Sequence, residues 1–186
     1  MRYKKSTKTM EVPKDKYILD VCCGGRMFYY DKNNPHVLFM DIRKTTEILC
    51  DGRTYTVKPD VVADFRNIPF PNESFSMVIF DPPHLKTIGD KSWLARKYGK
   101  LNKNTWQEDI GRAFRECFRV LKPHGFLNFK WNQEEIDADD VIMLSPYKPL
   151  FGNKTDKTKT IWFTFVKQPE LLKDGEQLPL FDIYEN

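Results

Sequence analysis

The chain has 186 residues, with 30 Lys and Arg against 26 Asp and Glu and a formal net charge of +4. That length suits one domain with a sizeable core. No apolar run approaches the roughly 18 uncharged residues of a membrane span, and no apolar stretch follows the basic start, so neither a membrane protein nor a secreted one is expected.

The first element, Tyr17-Ile18-Leu19-Asp20-Val21-Cys22-Cys23-Gly24-Gly25-Arg26, reads as a buried strand that breaks into a small-residue turn, with a helix predicted from about Met27. Small residues let a ligand approach the backbone closely. The Gly-x-Gly-x-x-Gly spacing of a pyrophosphate binder is absent. Cys22 and Cys23 read as small packing residues of that turn rather than nucleophiles. The four cysteines, these two with Cys50 and Cys117, lack metal-ligand spacing, so reduced thiols in a cytoplasm and no metal are expected.

A second strand, Val37-Leu38-Phe39-Met40-Asp41, ends in an acid 21 residues after Asp20. An acid at about that offset bonds ribose hydroxyls in nucleotide-binding folds, which predicts a ribose without a pyrophosphate. His36, just before this strand, has no partner that suggests catalysis. A third strand, Val61-Val62-Ala63-Asp64, again ends in an acid, followed by Phe65-Arg66-Asn67.

The fourth strand, Ser76-Met77-Val78-Ile79-Phe80, is apolar and ends in Asp81-Pro82-Pro83-His84. Two prolines stop the ladder and carry the chain out stiffly with its carbonyls exposed. Asp81 therefore falls outside a strand's carboxyl end, where open α/β sheets bind ligands. One acid beside rigid carbonyls is suited to gripping an amino group.

Residues 85–103 carry six Lys and Arg against one acid, with Lys86, Arg96 and Lys97 interleaved with Trp93 and Tyr98. Such a mixture pairs with phosphates and stacks on an unpaired base. Residues 1–16 and 148–159 are also basic, which leaves the remainder acidic. A helix is predicted next, from a Thr105–Glu108 capping box and an apolar stripe of Trp106, Ile110, Phe114, Cys117 and Leu121. After a turn at Pro123-His124-Gly125, residues 126–131 read as a fifth strand. Val141-Ile142-Met143-Leu144 and residues 160–166 read as a terminal antiparallel pair, joined by a loop, residues 146–159, that is long for a hairpin.

The ordered series of acid-ending strands, with Asp20-x-Cys22-Cys23-Gly24-Gly25, Asp64-Phe65 and Asp81-Pro82-Pro83-His84, resembles the class I S-adenosylmethionine-dependent methyltransferases over roughly residues 16–167. Arg119-Val120-Leu121-Lys122-Pro123-His124-Gly125 resembles the turn before their fifth strand. Asp-Pro-Pro followed by an aromatic further resembles their nucleobase amino-methyltransferases, of bacterial or prophage type, although His84 stands where Tyr, Phe or Trp is usual. The resemblance implies an α/β fold, a Rossmann-like seven-stranded mainly parallel sheet with helices on both faces, in one domain over residues 1–167.

It also implies S-adenosyl-L-methionine as cofactor, with Asp20 and the Cys22, Gly24, Gly25 turn at its methionine end, Asp41 and Ile42 at its ribose, Asp64 and Phe65 at its adenine, and Asp81 beside them. Asp81 and the Pro82 carbonyl would hold the target amine, with Pro83 stiffening the turn and His84 stacking on the base. Lys86, Trp93, Arg96, Lys97 and Tyr98 would contact the nucleic acid. The expected reaction is methyl transfer to an exocyclic amine of adenine or cytosine, with DNA favoured over RNA. The alternatives are an RNA base N-methyltransferase and a cofactor-binding, clamp-associated protein without turnover. The tail, residues 168–186, contains Gln177-Leu178-Pro179-Leu180-Phe181, which resembles the peptide by which bacterial replication proteins bind the sliding clamp; Gln177, Leu178, Leu180 and Phe181 would be its anchors.

Overall fold

The computed structural model describes residues 9–49, 51–89, 92–153 and 159–168. The tail anchors Gln177, Leu178, Leu180 and Phe181 lie outside the described residues, as do Cys50 and the middle of the 146–159 loop. Seven strands form one sheet in the order β5-β2-β1-β6-β7-β9-β8: β1 (Ile18–Asp20), β2 (Val37–Asp41), β5 (Val61–Val62), β6 (Phe75–Phe80), β7 (Leu121–Asn132), β8 (Phe151–Gly152) and β9 (Thr160–Val166). The first five strands of that order pair in parallel, and β9 runs antiparallel to both its neighbours. The predicted seven-stranded, mainly parallel sheet is the one observed. Strand order reverses between β1 and β6, which makes their carboxyl ends a topological switch point. Asp20 and Asp81 sit there.

One sheet face is buried beneath α2 (Trp106–Val120). Its predicted apolar stripe is the core: Phe114 lies 5.5 Å from Phe80, 5.1 Å from Phe129 and 5.9 Å from Phe165, ring centre to ring centre. The predicted capping box does not form. The Thr105 hydroxyl donates to Asp109 instead, and Glu108 makes no cap to it.

The other face differs from expectation. Residues 26–36 form turns rather than a helix from Met27. Arg26 takes a left-handed backbone (φ 54°), lays its guanidinium over the Phe39 ring and donates to the carbonyls of Lys32 and Lys58. Asp31 and Asn34 each accept a backbone N–H two residues on, the local bonding that competes with helix. Phe28 and Tyr29 from this segment cover the sheet by packing on Trp162 and Phe39.

Further elements depart from the sequence reading or add to it. Strands β3 (Thr45–Ile48) and β4 (Thr54–Val57) pair as an antiparallel hairpin separate from the main sheet. Residues 141–144 are not a strand: α3 (Ala138–Ile142) forms there, with Asp139 and Asp140 in the first turn, where acids suit the helix dipole. The partners of β9 are β7 and the two-residue β8. A short helix, α1 (Trp93–Tyr98), lies in the basic segment. Among the described residues no helix is long and apolar enough to cross a membrane, and no cluster of three or more His, Cys, Asp or Glu could hold a metal.

Candidate active site

The carboxyl ends of β1, β2 and β6 open onto two neighbouring cavities of about 380 and 350 Å³, both lined by Cys22, Arg43, Asp81 and Tyr98. The first also holds Gly24, Gly25, Pro82, His84 and Lys130. The second holds Asp41, Ile42, Asp64, Phe65 and Pro83. The residues predicted for catalysis and for the cofactor thus converge from four strand ends, with Asp20 buried directly behind them.

Asp81 is the pivot. Lys130, from β7, donates from Nζ to Asp81 Oδ2 at 2.7 Å, and each side chain is about a quarter exposed. Burial raises the Asp81 carboxyl above its ordinary range, and the Lys130 ammonium opposes that shift. Lys130 is itself flanked by the rings of Phe28 and Trp162, 5.3 and 5.8 Å from Nζ. His84 lies 6.2 Å from Tyr98 and 6.4 Å from Trp131. Burial lowers its pKa from 6.5, so the ring is neutral at pH 7. The loop that carries it is pinned by Glu135, which accepts from the backbone N–H groups of Lys86 and Thr87.

On the cofactor side, Gly24 has φ 48° and donates its N–H to Asp41 Oδ2 at 3.0 Å. Gly25 donates to the Tyr55 hydroxyl at 2.9 Å, and a side chain there would meet Tyr55 Cε2 at 2.7 Å. Hairpin β3–β4 therefore closes over the glycine turn. Asp41 Oδ1 accepts from the Arg43 backbone and from Arg43 Nε, while Arg43 Nη1 reaches the carbonyls of Arg96 and Lys97 at the end of α1. Asp64 pairs with Arg66, which also bonds Asp109; burial alone would raise the Asp64 carboxyl, and Arg66 holds it low.

Asp20 accepts from the Cys22 N–H and the Tyr29 hydroxyl, and burial pushes its pKa up to about 7. The thiols are inert by the same physics: burial raises Cys22 well above the ordinary range and Cys23 to about 12.

Of the predicted nucleic-acid contacts, Lys97 and Tyr98 line the first cavity, with Lys97 Nζ 4.8 Å from the Tyr98 ring. Lys86, Trp93 and Arg96 stand outside that lining. Trp93 is exposed, Arg96 faces Glu47 at 4.0 Å, and Lys86 lies over Trp106. Helix α1 is seated by a Ser92 cap and by Gly99 (φ 77°), where a side chain would come within 3.1 Å of Pro83.

Sequence reasoning missed Lys130, Arg43 and Tyr55. The signal for Lys130 was a lone charge inside the apolar run 126–131. The signal for Tyr55 was Asp51-Gly52 before an alternating strand, a hairpin turn.

No protein family matches the chain by sequence profile, and no curated protein matches it in sequence. Solved structures do match. A SAM-dependent methyltransferase from Methanosarcina mazei superposes with a TM-score of 0.50 at 12% identity, over 84% of this chain and 94% of that one. A TehB-like SAM-dependent methyltransferase from Corynebacterium glutamicum superposes with a TM-score of 0.50 at 14% identity, over 84% and 83%. The fold is that of the class I methyltransferases. The [4+2]-cyclase SpnF shares it equally well, with a TM-score of 0.50 at 13% identity over 81% of this chain and 74% of that one. The fold alone therefore does not name the reaction, and the chemistry rests on the residues at the strand ends.

Proposed function

We propose that the chain is an S-adenosylmethionine-dependent methyltransferase acting on an exocyclic amino group of adenine or cytosine in DNA. The observation that carries this reading is the convergence of Asp81, Pro82 and His84 in one cavity at the switch point, with a second cavity beside it lined by Asp41, Asp64 and Phe65. The donor set fits that cofactor: carboxylates suit ribose hydroxyls, an adenine amine and a cationic sulfur and ammonium, and the sequence lacks the Gly-x-Gly-x-x-Gly spacing of a pyrophosphate binder. Asp41 and Ile42 would hold the ribose, Asp64 and Phe65 the adenine, and the Cys22–Gly24–Gly25 turn the methionine end; Asp20, which is fully buried and lines neither cavity, would support that turn from behind through the Cys22 N–H rather than touch the cofactor. When bound, S-adenosylmethionine supplies a methyl group already activated by a positive sulfur.

The protein's part is positioning. Asp81 accepts one N–H of the target amine and the Pro82 carbonyl accepts the other, while Pro83 keeps the turn stiff. The neutral His84 ring stacks on the base without bringing a charge against it. As the nitrogen gains a methyl group it sheds a proton, and Asp81 is the nearest acceptor. Lys97 and Tyr98 at the cavity mouth, with the exposed Trp93 beyond, supply phosphate pairing and stacking surface. A duplex target has to flip out of its stack, at a cost of a few kcal/mol.

The test is transfer of labelled methyl from the cofactor to single-stranded DNA, duplex DNA, tRNA and rRNA. DNA is expected to be labelled. Asp81→Ala is expected to cut the rate by about a hundredfold or more while leaving cofactor affinity within about threefold. Label confined to RNA moves the substrate to RNA, and label undiminished in Asp81→Ala removes the mechanism.

A further inference from the structure

The Asp81–Lys130 pair carries a specificity that the nucleobase reading alone does not contain, and the inference rests on that reading. Lys130 has three N–H donors and spends one on Asp81 Oδ2. Its other donors and Asp81 Oδ1 have no hydrogen-bond partner among the described residues. Phe28 and Trp162 hold the ammonium from the sides, so it cannot swing away without losing both ring faces. Pro82, His84, Asp81 and Lys130 all line the same cavity. The site therefore presents an acceptor oxygen and a donor side by side, on a carboxylate and an ammonium that are bonded to each other at 2.7 Å.

We propose that Lys130 reads the ring nitrogen next to the target amine, so that Asp81 and Lys130 together recognise the N=C–NH2 edge of the base. Adenine offers this edge as N1 and its 6-amino group, and cytosine as N3 and its 4-amino group. Each edge places an acceptor beside a donor, the complement of the protein pair. Guanine carries a hydrogen on N1, so along its Watson–Crick edge a ring donor would face the Lys130 ammonium and that approach is refused; its amidine edge lies only on the N3 side, next to the sugar. A flipped base is read along this edge in any case, because extrusion frees it from its partner. Lys130 is thus a specificity-determining residue, and the class of acceptor is a base with an amidine edge.

The experiment compares single-stranded oligonucleotides carrying one adenine or one 1-deazaadenine, and one cytosine or one 3-deazacytosine, in which only the ring nitrogen is replaced by C–H. For the wild-type chain, loss of that nitrogen is expected to lower kcat/KM by about tenfold to a hundredfold on whichever base is the substrate. For Lys130→Met the natural and deaza substrates are expected to react at one common, reduced rate. A wild-type penalty within about twofold overturns the proposal, as does a penalty that persists undiminished in Lys130→Met. The wild-type comparison decides the matter alone if the variant does not fold. No product on either natural base overturns the parent reading and this inference together, and is told apart by the missing signal on adenine and cytosine themselves.

Discussion

Asp20 is the residue at which stability should report on protonation. It is completely buried, and burial lifts its carboxyl from 3.8 to about 7. The folded state therefore holds this proton more tightly than the unfolded chain does. Its contribution to stability is complete below about pH 4 and is lost as pH rises through about 7. Without ligand, the melting temperature of the wild-type chain should fall by several degrees between pH 5 and pH 8. Asp20→Asn, which can keep both the Cys22 and Tyr29 hydrogen bonds, should lack that fall. At this scale the sequence was legible where the chemistry is local: Asp81-Pro82-Pro83-His84 carries its own geometry because two prolines leave the chain few conformations. Lys130 was not legible, because its partner is 49 residues away and only strand register brings the two together.

Among the elements, α2 is where packing energy concentrates. Phe114 is fully buried and faces aromatic rings from β6, β7 and β9. Phe114→Ala should cost about 3–5 kcal/mol, read as a lower urea midpoint at unchanged slope. This helix and the acid-ending strands β1, β2 and β6 were readable because burial writes a period of its own into the sequence: a stripe for a one-sided helix, a continuous apolar run for an inner parallel strand. The segment after Gly25 carried no such period. A helix was expected there after the small-residue turn, yet Asp31, Asn33, Asn34 and Pro35 are turn formers, and local side-chain hydrogen bonds prevail. Residues 141–144 misled for the opposite reason. A short apolar run fits a strand or a helix equally, and the acids before it decide for the helix.

At the scale of the whole molecule, the reversal of strand order between β1 and β6 determines where everything else can act. It places the two cavities against one wall, and Arg43 belongs to both. Through Nε it holds Asp41, and through Nη1 it holds two carbonyls at the end of α1. Arg43→Ala should loosen α1, with amide protection over residues 93–99 reduced by about 1 kcal/mol in hydrogen exchange. A ligand that claims Asp41 Oδ1 competes with Arg43, whose guanidinium also holds the end of α1 beside the cavity next door. Occupancy of the two cavities is then bound by reciprocity. Whatever factor a guest at Asp41 applies to the affinity for a guest at Asp81, the second applies equally to the first, and a single arginine is the lever on which that balance rests.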